Sequence, residues 1–403
     1  MNTARLAAVA ACRFGTGMPV MVYAGCLPQL IPAWGMTATE AGAVQGAYHI
    51  AYAAGLVAAS WLAGRYGARR VFLWSSWATL LAYLLFAAFA RSSGSALLVL
   101  PILGLAQAGT YTPSIMLIAD TVAPERRGAA IGWTLAAASF SYVVSIAIAA
   151  GWAASVSYQA VFWIVAAGPS LGALAASVAT WGLPDRVHRR EGGGSTWASM
   201  AAILRARRAR LLIVGYAAHT WELFGAWTWM PAFLTTTLLA EDWIGPAAIG
   251  LAVGAALHVA GATASLTMGA VSDRIGRAAV LRIMAAGGMA LSLAIGWCAG
   301  LPGPLLLMLA FVYGFAIHGD SGVLSTAMTE AVAPRDLGTL LALRSIIGWG
   351  IGALAPLAFG RILDLTNAPG ALPSVWGWAF LILAVGGAVA TLAALSLREP
   401  KTA

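Results

Sequence analysis

The sequence predicts an all-α integral membrane protein of twelve transmembrane helices in two pseudo-symmetric six-helix bundles. Three observations predict it. Of 403 residues, 61% are hydrophobic and 9% charged, with mean hydropathy +0.83. An ordinary soluble domain carries roughly 25% charged residues, and no soluble fold of this size hides so much apolar surface. The apolar stretches reach the roughly 20 residues that a helix needs to cross a bilayer, without the alternating polarity of barrel strands. Finally, the second half of the chain repeats features of the first.

Breaks at charged or Gly/Pro-rich segments place spans near residues 6–33, 39–63, 71–90, 96–120, 129–152, 158–182, 211–240, 247–271, 279–299, 304–331, 337–360 and 375–397. The first has no cleavage-site pattern after it and reads as a retained helix that doubles as the insertion signal. Of the basic residues, nineteen fall in alternate loops that include both termini, while Arg91 and Arg361 fall in the others. This asymmetry places both termini in the cytoplasm, and the bias of arginine over lysine points to a bacterial source and hence to the inner (plasma) membrane. The longest loop, 184–210, separates an N-terminal bundle (1–183) from a C-terminal bundle (211–403). It carries Gly192, Gly193, Gly194 and Ser195, a flexible composition, then a basic piece from Trp197 to Arg210. That piece reads either as a topology signal or as a segment lying on the anionic inner leaflet.

The net charge of +9 is almost entirely arginine, Lys401 being the single lysine. These residues sit singly or in short runs between apolar stretches, which excludes a nucleic-acid face. Cys12, Cys26 and Cys298 give no disulfide ladder and no metal pair. No Walker sequence, nucleophile elbow or metal-ligand cluster is present, so no enzyme activity, cofactor or metal is expected.

An offset of 209 or 210 residues superimposes the halves. Gly64-Arg65-Tyr66-Gly67-Ala68-Arg69 falls on Asp273-Arg274-Ile275-Gly276-Arg277-Ala278, Ala123-Pro124 on Ala333-Pro334, and His49 on His258. Gly269, Asp273, Arg274, Gly276 and Arg277 resemble the GxxxDRxGR signature of the major facilitator superfamily. The first-half copy keeps Arg65, Gly67 and Arg69, but has Ser60 for the leading glycine and Gly64 for the aspartate. The resemblance covers the whole chain. It implies a secondary transporter working by alternating access, with the first and fourth helices of each half lining a central cavity and the signature turns gating it. Physically, the short turn needs Gly276, and Asp273 can bind Arg274 or Arg277 as a latch. Asp120 and Glu330, at the inner ends of spans four and ten, belong with that gate.

Charge at membrane depth is costly, so the intramembrane polar residues are the candidates for substrate and coupling ion. They are Arg13, His49, Tyr111, His219, Glu222, His258, His318, Asp320 and Arg344. Arg13 and Glu222 fall opposite each other in the repeat and could pair across the cavity. His318 and Asp320 are two residues apart on one helix and cannot both face it squarely; the repeat sets Asp320 against Thr110, which favours Asp320. Pro19 and Pro231 are the expected helix hinges. The two guanidiniums point to a small organic or inorganic anion, and the carboxylates and histidines to a proton as the coupling ion or to exchange with a counter-solute. Two alternatives stay open: efflux of lipophilic or cationic compounds, with the tryptophans of span seven stacking on them, and a non-transporting sensor or partner subunit. The expected partners are a small-molecule substrate and the lipid bilayer, with the protein monomeric.

Overall fold

The computed structural model describes residues 2–152, 156–187, 196–368 and 372–397, and among the described residues helix is the only repetitive structure. Twelve long rods follow in order: α1 (Thr3–Trp34), α2 (Ala38–Tyr66), α3 (Ala68–Phe89), α4 (Ser93–Thr121), α5 (Arg126–Trp152), α6 (Tyr158–Thr180), α7 (Arg207–Glu241), α8 (Pro246–Ile275), α9 (Arg277–Trp297), α10 (Gly303–Thr329), α11 (Asp336–Thr366) and α12 (Gly377–Ser396). All twelve expected spans are present. Ten are apolar enough along their length to cross a membrane. The other two, α2 and α7, are long enough, at about 43 and 52 Å, but α2 carries Glu40, Gln45 and His49, and α7 opens on arginines and carries His219 and Glu222.

Rows of large exposed apolar side chains mark the outer faces. Leu81, Leu85 and Phe89 line one side of α3, Leu171, Leu174 and Val178 one side of α6, and Val385, Val389 and Leu392 one side of α12. Their helical spacing makes continuous stripes that water would penalise and acyl chains accept. Trp163 and Trp181, toward the two ends of α6, are exposed where a bilayer has its interfaces.

The chain divides into two compact units. The first comprises 1–36, 47–191 and 244–254, with a core of Val9, Cys12, Phe72, Leu117 and Ile118. Within it α1 meets α6 backbone to backbone, Gly15 against Gly168 and Gly172, the small-residue packing that membrane helices rely on where no hydrophobic effect drives them together. The second comprises 37–46, 192–243 and 255–403. Its core gathers Leu212, Val280, Leu281, Val323, Leu324 and Leu340. At its edge the Asp364 carboxylate caps the start of α2, accepting from the Ala38 and Thr39 amides at 2.8 Å each.

The basic piece before α7 forms a short helix, Thr196–Arg205. Its Ile203 is buried in the second unit's core beside Leu212 and Met328, with Met200 packed alongside. The piece is therefore part of that unit's packing, which neither sequence reading anticipated. Gly192 to Ser195 lie outside the described residues.

Candidate functional site

The fourth helix of each half is broken at the same place. In α4 the segments Ser93–Ala108 and Thr112–Thr121 are separated at Gly109, Thr110 and Tyr111. In α10 the segments Gly303–Gly319 and Ser321–Thr329 are separated at Asp320. A glycine stands at or just before each break, where a neighbour crowds the backbone: a Cβ on Gly109 would collide with Ser75 of α3, and one on Gly319 would have to displace the Met284 side chain of α9. Both pairs obey the repeat. A broken helix brings a polar side chain and loosened backbone to membrane depth, which intact helices do not.

At the first unit's break the charge is positive. Arg13 of α1, 5% exposed, donates from Nη1 to Thr110 Oγ1 at 2.8 Å, and its guanidinium carbon lies 5.3 Å from the Tyr111 ring centroid. Thr110 passes the bond on to the Gln107 carbonyl at 2.8 Å. The Tyr48 hydroxyl bonds Gln107 Oε1 at 2.5 Å, and Gln107 donates to the Thr16 carbonyl. Tyr52 is hydrogen-bonded to Arg13, and Tyr142 lies within its electrostatic reach. Among the described residues Arg13 has no carboxylate within ion-pair distance. His49 is buried beside Tyr48, ring centroids 5.3 Å apart.

The second unit's break carries an acid and a base. His219 Nδ1 of α7 stands 2.8 Å from Asp320 Oδ1, and its Nε2 stands 2.8 Å from Ser321 Oγ. This is a close ion-pair contact, and Asp320 Oδ1 accepts no aligned hydrogen bond among the described residues. Glu222, one turn on, faces α9 instead. Ser292 Oγ donates to its Oε1 at 2.6 Å, with Tyr313 Oη 2.9 Å from that serine. The carboxylate lies against Gly288, where a Cβ would come within 2.9 Å of it.

His318 is held differently from its neighbour Asp320. Trp227 Nε1–H, which can only donate, points at His318 Nε2 from 3.1 Å, and His318 Nδ1 is 2.7 Å from the Gly314 carbonyl. These partners fix a neutral ring with its proton on Nδ1. His258 occupies a π-helical turn, Ala255–Val259, with its ring 5.7 Å from Trp227. Arg344 of α11 lies flat on Tyr216, 4.1 Å from the ring centroid, and donates to Ser325 Oγ at 2.9 Å and to Tyr216 Oη at 3.3 Å. Of the expected hinges, Pro19 begins a new helical segment after a break at Met18, whereas Pro231 sits within the unbroken α7.

The signature turns share a backbone and differ in charge. Gly67 (φ 91°, ψ 142°) and Gly276 (φ 94°, ψ 149°) adopt one conformation, open to glycine alone. At the second, Arg277 contacts Asp273 at 2.5 Å, Ser272 Oγ at 2.6 Å and Glu330 at 3.2 Å, and Arg208 reaches Glu330 at 3.5 Å. A Cβ on Gly269 would meet nothing, so the leading glycine is not demanded by packing, in keeping with Ser60 at its counterpart. At the first turn, where the aspartate is Gly64, the acid comes from Asp185 beyond α6: Arg69 reaches it at 3.1 Å and Arg70 at 2.9 Å. Arg69 Nε also bonds the Thr180 carbonyl at 2.8 Å, while Arg65 stacks near Trp61 and Tyr66. Asp185 escaped the sequence reading. Its signal was a lone acid just after a span, in the sequence Pro184-Asp185-Arg186, close in space to a basic turn that had lost its own.

Residues 9–240 match the profile of the Major Facilitator Superfamily. A curated relative, the "Probable 4-methylmuconolactone transporter" of Cupriavidus pinatubonensis (strain JMP 134 / LMG 1197), is 23% identical over 382 residues, 91% of this chain and 85% of that one. Among solved structures, the nucleoside transporter NupG superimposes with TM-score 0.79 at 15% identity over 97% of this chain and 98% of that one. A bacterial homologue of the human lysosomal transporter Spinster, inward-facing and unoccupied, gives 0.74 at 17% over 98% of each. The E. coli xylose transporter XylE, partially occluded and inward-open, gives 0.72 at 15% over 96% of each. With twelve helices, a repeated half and the signature turn in both copies, this chain belongs to the Major Facilitator Superfamily and is a membrane transporter, not an enzyme.

Proposed function

We propose that the protein is a proton-coupled secondary transporter of a small organic anion, working by alternating access with both termini in the cytoplasm. One observation carries the reading: the same helix break holds an arginine without a counter-charge in the first unit and an acid–base pair in the second. A buried guanidinium with no acid is an expensive arrangement, tolerated where an anion completes it. Its planar fork suits a carboxylate. At the other break, Asp320 and His219 stand as a carboxylate and an imidazole 2.8 Å apart, a pair between which a proton can be passed. Anion entry and proton uptake each cancel a buried charge, which favours moving the two together. Arg344, also without a carboxylate partner among the described residues, is a second anion-attracting group, carried by the second unit. The relative named for a muconolactone supports an oxygen-rich organic solute over a lipophilic cation.

The test is uptake of radiolabelled benzoate into proteoliposomes holding the purified protein. An acid-outside pH gradient is expected to drive accumulation, and collapsing it with a protonophore to remove that accumulation. Accumulation indifferent to the gradient overturns the coupling. Transport of a lipophilic cation with no transport of any carboxylate overturns the anion.

A further inference from the structure

We infer that the Arg13 site selects planar, unsaturated monocarboxylates, and that the tyrosines around it perform the selection. This rests on the anion reading above and narrows its substrate class. Four tyrosines from three helices surround one guanidinium. Tyr111 lies 5.3 Å from it, Tyr52 is hydrogen-bonded to it, Tyr142 is within its electrostatic reach, and Tyr48 stands 6.0 Å from Tyr52, ring to ring. Tyr111 and Tyr142 are partly exposed.

The chemistry of this wall divides the possible anions. The guanidinium has five N–H donors in a fixed fork, of which Thr110 receives one at 2.8 Å and Tyr52 engages another. What remains matches the two oxygens of one carboxylate. A tetrahedral oxyanion needs donors on several sides, and beside this guanidinium one side is the Tyr111 ring. A dicarboxylate would bring a second charge for which the first unit offers no second cation beside Arg13 among the described residues. The body of the ligand therefore meets aromatic faces. A flat conjugated ring packs edge-to-face or offset against them and gains the quadrupole term; a puckered saturated ring of the same size gains burial alone.

The experiment is competition against benzoate uptake in proteoliposomes, with cyclohexanecarboxylate and phosphate as competitors. Cyclohexanecarboxylate has the charge and carbon count of benzoate without its plane. Unlabelled benzoate is expected to compete about five- to tenfold better than cyclohexanecarboxylate, and phosphate not to compete. Tyr111→Leu is expected to level the two carboxylates, and Tyr111→Phe to keep the preference. Equal competition by the two carboxylates in the wild type overturns the inference and leaves the anion reading standing, as does a preference that survives Tyr111→Leu. Should Tyr111→Leu fail to reconstitute, the wild-type ratio decides. Failure of every carboxylate to bind or enter overturns the reading and this inference together.

Discussion

The two halves of this transporter share a backbone and diverge in charge, and the divergence falls at two levels. At mid-membrane, the breaks in α4 and α10 occur at repeat-related positions, each with a glycine pressed on a third helix, yet Thr110 stands in one and Asp320 in the other. At the signature turns, Gly67 and Gly276 have nearly the same dihedral angles, yet Arg69 and Arg70 find their acid beyond α6, whereas Arg277 finds one acid, Asp273, in its own motif and a second, Glu330, at the end of α10. Backbone geometry was the part of the duplicated unit that resisted change, because a broken helix or a sharp turn tolerates few residues. Side-chain charge was free to specialise. One half can then hold an anion and the other a proton.

The largest effect expected from breaking that division is at Arg13. Arg13→Ala should lower carboxylate uptake about 100-fold or more, the cost of removing one member of a buried charge-assisted contact. Arg344→Ala should cost about tenfold, since Arg344 is half-buried and already lies on Tyr216. Initial rates at subsaturating benzoate check both, and equal small losses would remove the charge contrast between the halves.

Asp320→Asn sharpens the other side. It should abolish accumulation driven by a pH gradient, while exchange of internal for external benzoate continues, because the anion site is intact and the proton site is frozen neutral. His318→Gln should leave gradient-driven accumulation within about threefold of wild type, since Trp227 and Gly314 already hold His318 neutral. A His318 variant that uncouples transport, or an Asp320 variant that does not, would move the proton site off the break.

At the turns the effect is smaller. Asp185→Asn and Asp273→Asn are each expected to slow transport several-fold without changing benzoate affinity, because the first removes the acid that holds Arg69 and Arg70 and the second loosens Arg277, leaving it to Glu330 and Ser272. Equilibrium binding against Vmax separates this from damage to the site. If Asp185→Asn is silent while Asp273→Asn slows transport, the first turn's clasp is only structural.

Much of this was legible in the sequence. Twelve spans could be counted because lipid demands long apolar runs. The repeat could be found because glycines and prolines, which fix backbone geometry, recur at a constant offset. The candidate residues stood out because charge in an apolar run is rare. Which way each pointed was not legible. Glu222 and His219 are one turn apart and look equivalent, but one is turned to Ser292 of α9 and the other to Asp320 of α10, a choice made by packing partners 70 and about 100 residues away. Asp185 was hidden for the same reason. Tyr52 and Tyr142 read as ordinary membrane tyrosines until the fold set them around Arg13.

The smallest effect on transport should come from Gly67→Ala and Gly276→Ala, and it tests whether the shared backbone is as constrained as the comparison implies. With φ near +90° and ψ near +145°, an L residue is strained by about 1–3 kcal/mol. At Gly67 a Cβ would also sit 3.3 Å from Asp185, a tight contact that asks the neighbour to give by a few tenths of an ångström, so the larger cost there is in the dihedrals. Both variants should therefore lose similar thermal stability in detergent despite their different ionic surroundings. If only Gly276→Ala is destabilised, the charge network, not the turn, governs the geometry, and the two halves are less alike in backbone energetics than their matching angles suggest.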